Sequence, residues 1–173
     1  MTVTDVRGDP LEMALQSPTP YSRRQVLLVF VGLMVGILLA ALDQTIVATA
    51  LPTIGGDLGG LDDVTWIVTS YLLATTITAP LYGKLGDLYG RKQLFQAAIA
   101  IFLVGSLLCA LAPSFWALVA FRAVQGIGAG GLMVLALAII ADVVSPRERG
   151  RYQGLFGALF GMASVVGPLL GGF

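Results

Sequence analysis

Two ionisable residues stand where so apolar a chain leaves little room for charge. Asp43 and Arg122 each lie inside a long run of Leu, Val, Ile, Ala and Gly. A buried acid can take up and release a proton while a nearby base opposes its protonation. Burial favours the neutral carboxylic acid and a neighbouring cation favours the carboxylate, so such a pair has the makings of a proton switch. The structural alternative is that the two charges only neutralise each other to hold two helices together. Gln125, one helical turn beyond Arg122, points the same way and brings an amide that both donates and accepts. The chain has no histidine, which excludes imidazole metal sites and histidine proton relays. Its single cysteine, Cys109, excludes an intrachain disulfide and reads as a small apolar filler.

Charges placed in this way need elements that carry them across a bilayer. Of the 173 residues, 57 % are hydrophobic and only 12 % are charged, against about a quarter charged in globular domains. The mean hydropathy is +0.88. Five apolar spans are expected, over about 26–50, 64–82, 94–111, 115–144 and 152–173, each near the roughly 20 residues that cross a membrane. The fold class is therefore an all-α integral membrane protein. Residues 1–24 are polar, with Pro10, Pro18 and Pro20, and read as a disordered tail. They do not read as a secretory signal, because the apolar run that follows is too long and has no small-residue cleavage pattern. Trp66, Tyr71 and Tyr82 sit near the ends of the second span and suit interfacial aromatic belts.

Lys and Arg set the orientation. Arg23 and Arg24, then Lys84, Arg91 and Lys92, then Arg147, Arg149 and Arg151 fall on one side, while the opposite loops carry only Asp57, Asp62 and Asp63. The positive-inside rule puts the N-terminus and both basic loops in the cytoplasm. Counted from the outer ends near Pro52 and Ser114, Asp43 and Arg122 lie at matched depth, ~12–14 Å in at about 1.5 Å per residue. An isolated charge at that depth costs at least a few kcal/mol (roughly 2.5 or more), so each is expected to face a polar cavity or a partner.

Glycines recur at four-residue spacing in Gly32 and Gly36, Gly126 and Gly130, Gly157 and Gly161, and Gly167 and Gly171. Such pairs let helices approach closely in lipid. Pro168 removes one backbone hydrogen bond from the last span and is expected to bend it. The run Gly126-Ile127-Gly128-Ala129-Gly130-Gly131 matches a dinucleotide fingerprint by letter only. It lacks the preceding strand that the fingerprint requires.

Four stretches in order resemble signatures of the major facilitator superfamily. Gly83-Lys84-Leu85-Gly86-Asp87-Leu88-Tyr89-Gly90-Arg91-Lys92 is similar to the loop between its second and third helices. Leu42-Asp43-Gln44-Thr45 through Ala50-Leu51-Pro52 resembles the first-helix motif of its drug:proton antiporter branch with about fourteen helices. Arg122-Ala123-Val124-Gln125-Gly126 resembles the fourth-helix motif, whose arginine is linked to proton coupling. Gly161 to Gly172, with Gly167, Pro168 and Gly171, resembles the fifth-helix antiporter motif. Leu88 departs from the loop signature, which usually has a basic residue there.

The resemblance implies an N-terminal six-helix bundle, here represented by five helices. It also implies a cytoplasmic latch in which Asp87 and Arg91, with Gly83 and Gly90, join an acid on the fourth helix, for which Asp142 is the match. Asp87 is also placed to cap a helix N-terminus. The leading function is proton-coupled multidrug efflux, not an enzyme activity, with Asp43 and Arg122 coupling protons and Gln125 and Thr45 facing the substrate. The implied partners are protons, a lipophilic small molecule, the lipid bilayer of the cell membrane and the remaining half of a transporter. No cofactor beyond the proton gradient and no nucleic acid is implied. A dedicated exporter of one metabolite or antibiotic is the alternative on the same fold. Taken at its own length, the chain also reads as a truncated helical membrane protein that does not transport alone.

Overall fold

A computed structural model describes residues 23–172 except Leu61 and Ser145, so the expected tail over residues 1–22 lies outside the described residues. Five helices follow one another: α1 (Arg23–Asp57), α2 (Thr65–Tyr89), α3 (Arg91–Ala110), α4 (Phe115–Val143) and α5 (Arg149–Gly171). No strand occurs among the described residues. All five helices begin or end beyond the apolar run that announces them, or within a residue or two of it.

The largest difference from expectation is at the basic turn. Gly83 to Tyr89 is not loop but the last two turns of α2, and Gly90 alone separates α2 from α3. Gly90 has φ +96°, a conformation that glycine adopts without a side-chain penalty. Helix persists through Gly83 and Gly86 because both face α4. A Cβ at Gly86 would lie 2.8 Å from Leu135 Cδ2, and one at Gly83 would lie 3.6 Å from Val134 Cγ1. Tertiary packing here outweighs the helix penalty of about 1 kcal/mol for each glycine. Asp87 consequently sits in the last turn of α2 and caps no N-terminus; Gly90 occupies that position for α3, without a side-chain bond. An acid at a helix C-terminus opposes the helix dipole, so Asp87 needs a cation beside it.

The first span was expected to stop at Leu51-Pro52, yet α1 continues through Pro52 to Asp57. α5 likewise runs as one helix through Pro168. α4 starts cleanly because Ser114 Oγ accepts from the Ala117 amide at 3.4 Å.

α4 is the centre of the molecule. Most of it is buried, whereas the other helices long and apolar enough to cross a membrane bury less than a quarter of theirs. It packs against α2 on one side and α3 on another; α1 lies mainly along α5 and touches α4 less extensively. Two glycine stripes explain the close approach. Gly126 and Gly130 face α2, where a Cβ at Gly126 would come within 2.5 Å of the Tyr71 carbonyl oxygen. Gly128 and Gly131 face α3, where a Cβ would come within 2.7 and 2.8 Å of the Ala98 carbonyl oxygen and Cβ. The letters of the false nucleotide fingerprint are thus two helix contacts interleaved. Of the other small-residue pairs, Gly167 and Gly171 press on Thr45 and Thr49 of α1, while Gly157 and Gly161 face open space.

Four helices (α1, α3, α4 and α5) have the length and apolar composition of membrane spans, and the protein is a multi-pass membrane protein. α2 has 25 residues, enough to cross, but its threonines lower its hydropathy. Three of their hydroxyls are satisfied by protein: Thr76 donates to Leu72 O at 2.8 Å, Thr78 to Ala74 O at 2.7 Å, and Thr75 reaches Gly126 O of α4 at 3.1 Å. Backbone and hydroxyl pairing of this kind is what a helix in lipid requires.

Candidate functional site

The two buried charges meet. Arg122 Nη1 donates to Asp43 Oδ2 at 2.6 Å and to Gln125 Oε1 at 2.7 Å, and Gln125 Nε2 donates to Asp43 Oδ1 at 2.8 Å. The three side chains close a ring in which both carboxylate oxygens and both ends of the amide are used. Helical spacing makes this possible: Arg122 and Gln125 are three apart and share one face of α4. Arg122 and Gln125 are buried and Asp43 is nearly so. Cys109 of α3 lies behind the amide, its Sγ 3.7 Å from Gln125 Oε1. Arg122 Nε is the one buried side-chain nitrogen or oxygen without a hydrogen-bond partner among the described residues.

Thr45 does not join this group. Two residues on from Asp43, it is rotated by about 200° around the helix, and it packs against Gly167 of α5. Its hydroxyl bonds back to Ala41 O at 3.1 Å and Leu42 O at 3.0 Å. Gln125, expected with Thr45 to face the substrate, is buried and bonded to Arg122 and Asp43.

A second arginine–carboxylate group closes the basic end. Arg91 Nη2 and Nε donate to Asp87 Oδ1 at 2.6 and 3.1 Å, and Nη1 donates to Asp142 Oδ1 at 2.7 Å and to the Ala138 carbonyl at 2.8 Å. One guanidinium therefore ties the end of α2, the start of α3 and the end of α4 together. Gly83 and Gly86 bring α2 close enough, and Gly90 turns the chain so that Asp87 and Arg91 face each other. Leu88 points outward and is exposed. A groove of about 980 Å³ opens beside this cluster, walled by α1, the end of α2, α3 and α4; neither Gln125 nor Thr45 lines it.

Two participants escaped the sequence reading. Arg149, taken as an orientation signal, donates Nη2 to Ala141 O at 2.7 Å and Nε to Val144 O at 3.4 Å, satisfying carbonyls at the end of α4. Tyr71, taken as a belt residue, is buried, with the Arg122 guanidinium carbon 4.3 Å from its ring centroid. Trp66, about 140° away around α2, is exposed as a belt residue should be.

Residues 33–173 match the family model described as Major Facilitator Superfamily. The chain belongs to that superfamily. Among curated relatives, it is 50 % identical over 143 residues to Multidrug resistance protein 3 of Bacillus subtilis, covering 83 % of this chain and 28 % of that protein. It is 43 % identical over 161 residues to Multidrug transporter protein MdtP of the same organism, covering 93 % of this chain and 29 % of the relative. It is also 43 % identical over 145 residues to the MFS-type efflux pump LUC4 of a Fusarium species, covering 84 % and 26 %. The chain thus spans between a quarter and a third of the length of these superfamily members.

Proposed function

We propose that this chain supplies the proton-coupling part of a multidrug efflux antiporter that works by alternating access. The observation that carries the proposal is the buried ring of Asp43, Arg122 and Gln125. A carboxylate held by one cation and one amide has a single cheap way to lose its charge, which is to take up a proton. Protonation removes the attraction to Arg122 and so loosens α1 from α4, the helix pair that this ring bridges. The names of the bacterial relatives support drug-like substrates, and a lipophilic small molecule suits apolar walls around one acid. The proposal puts the basic end and the N-terminus in the cytoplasm of a cell-membrane protein, following the Lys and Arg count. There the Arg91 cluster acts as a latch that is whole when the cytoplasmic side is shut. A second bundle forms the opposite wall of the substrate path. The proton gradient is the energy source, and no cofactor takes part.

The test is drug efflux from proteoliposomes driven by an imposed pH gradient, using a full-length transporter that carries this segment. Asp43→Asn is expected to abolish proton-driven efflux while leaving membrane insertion intact. Pumping at the unmodified rate by that variant would remove Asp43 from the mechanism.

A further inference from the structure

Tyr71 is among the largest fully buried side chains, at 1 % relative exposure, and it lies against Arg122, the one buried cation among the described residues. Arg122 is unevenly supported. Nη1 serves both Asp43 and Gln125, Nε has no hydrogen-bond partner among the described residues, and the guanidinium rests on the Tyr71 ring. If Asp43 becomes neutral, Arg122 loses its only charged partner among the contacts above and is left with neutral acceptors and the ring.

We propose that Tyr71 is a positioning residue for the Asp43–Arg122 switch: its ring holds the guanidinium in place while Asp43 is neutral and thereby sets the pH at which Asp43 takes up its proton. The proposal rests on the reading of Asp43 as the proton carrier. An unpaired cation in a buried site is costly, and the negative face of an aromatic ring offsets part of that cost. The ionised state keeps its carboxylate partner and depends on the ring less. Weakening the ring therefore penalises the protonated state more, and proton uptake moves to lower pH.

The other groups that face Asp43 do not replace the ring. α4 offers Arg122 itself, and α3 offers the Cys109 thiol, which sits behind Gln125. α5 meets this stretch of α1 through Gly167 and Gly171 and brings no titratable side chain there. On α1, Gln44 reaches the Tyr71 hydroxyl at 3.5 Å, at the limit of a hydrogen bond, so the ring and not the hydroxyl is the part in play.

The experiment follows Asp43 protonation by infrared titration of the full chain in lipid nanodiscs, with the band assigned by its loss in Asp43→Asn. Tyr71→Phe keeps the ring and is expected to titrate with the unmodified protein. Phenylalanines bearing one, two and three ring fluorines at position 71 keep the shape and progressively remove the negative face. They are expected to move the midpoint stepwise to lower pH, by about one unit at full fluorination, a tenfold loss of proton affinity. A midpoint that ignores fluorination overturns the proposal, as does an equal shift in Tyr71→Phe alone, which would assign the effect to the hydroxyl. Absence of any titrating Asp43 band in the unmodified chain would overturn the proton-carrier reading itself.

Discussion

The molecule contains the same chemical group twice, in opposite surroundings. At the middle of α1 and α4, Arg122 meets Asp43 at 2.6 Å with side-chain exposures of 3 % and 15 %. At the basic end, Arg91 meets Asp87 at 2.6 Å and Asp142 at 2.7 Å with exposures of 29 %, 63 % and 54 %. The bond lengths do not tell the two apart, but the solvent does. Removing one partner from a buried pair strands a charge in low dielectric, whereas an exposed pair returns its ions to water at little cost. The inner pair is therefore expensive to break by removing one partner, and the outer cluster a contact that costs little to separate.

The largest effect that would break this comparison is at Asp43. Asp43→Leu, which leaves Arg122 charged and unpaired, is expected to destabilise the bundle by roughly 3 kcal/mol in detergent-driven unfolding. The double change with Arg122→Leu should recover most of that loss, and a double variant no better than the single would contradict the stranded-charge account. Next come two glycines, one beside each group. A methyl at Gly105 would meet the Gln125 backbone, with Cα at 2.6 Å, so Gly105→Ala is expected to cost about 1–3 kcal/mol and to disturb the Asp43 ring. A methyl at Gly86 would meet the flexible end of Leu135 instead, and Gly86→Ala should cost less than Gly105→Ala in the same unfolding assay. Smaller still, Asp142→Asn at the outer cluster is expected to change stability by about 1 kcal/mol or less. The smallest effect separates the two sites by screening. Raising salt from about 0.05 to 1 M shortens the Debye length several-fold and should shrink the coupling of Arg91 with Asp142 in a double-mutant cycle. The coupling of Arg122 with Asp43 should hold, and equal loss at both would show that burial does not distinguish them.

Asp43 and Arg122 were legible because charge inside an apolar run is conspicuous, and Gln125 followed from its place one turn away. Asp142 was reachable only through the family resemblance, since nothing local distinguishes it from other charges at a helix end. Tyr71 was hidden for a different reason. A tyrosine near the end of a span reads as an interfacial residue until the rotation of its helix is known, and no apolar or polar stripe on α2 fixes that rotation. The run from Gly83 to Tyr89 misled because glycine disfavours helix locally, while the close approach to α4 that reverses the preference is a tertiary fact. Arg149 misled in the same way, for a cation in a loop shows its charge in sequence but not the carbonyls it will reach.

The two glycine stripes of α4 have a mechanical meaning. Each stripe sets backbone against the surface of a neighbour, on α2 through Gly126 and Gly130 and on α3 through Gly128 and Gly131. A helix seated on two flats behaves like a keyed shaft: spinning it by even part of a turn would drive side chains into both neighbours. Torque applied anywhere along α4 is therefore delivered to α2 and α3 together, and the three swing as one lever.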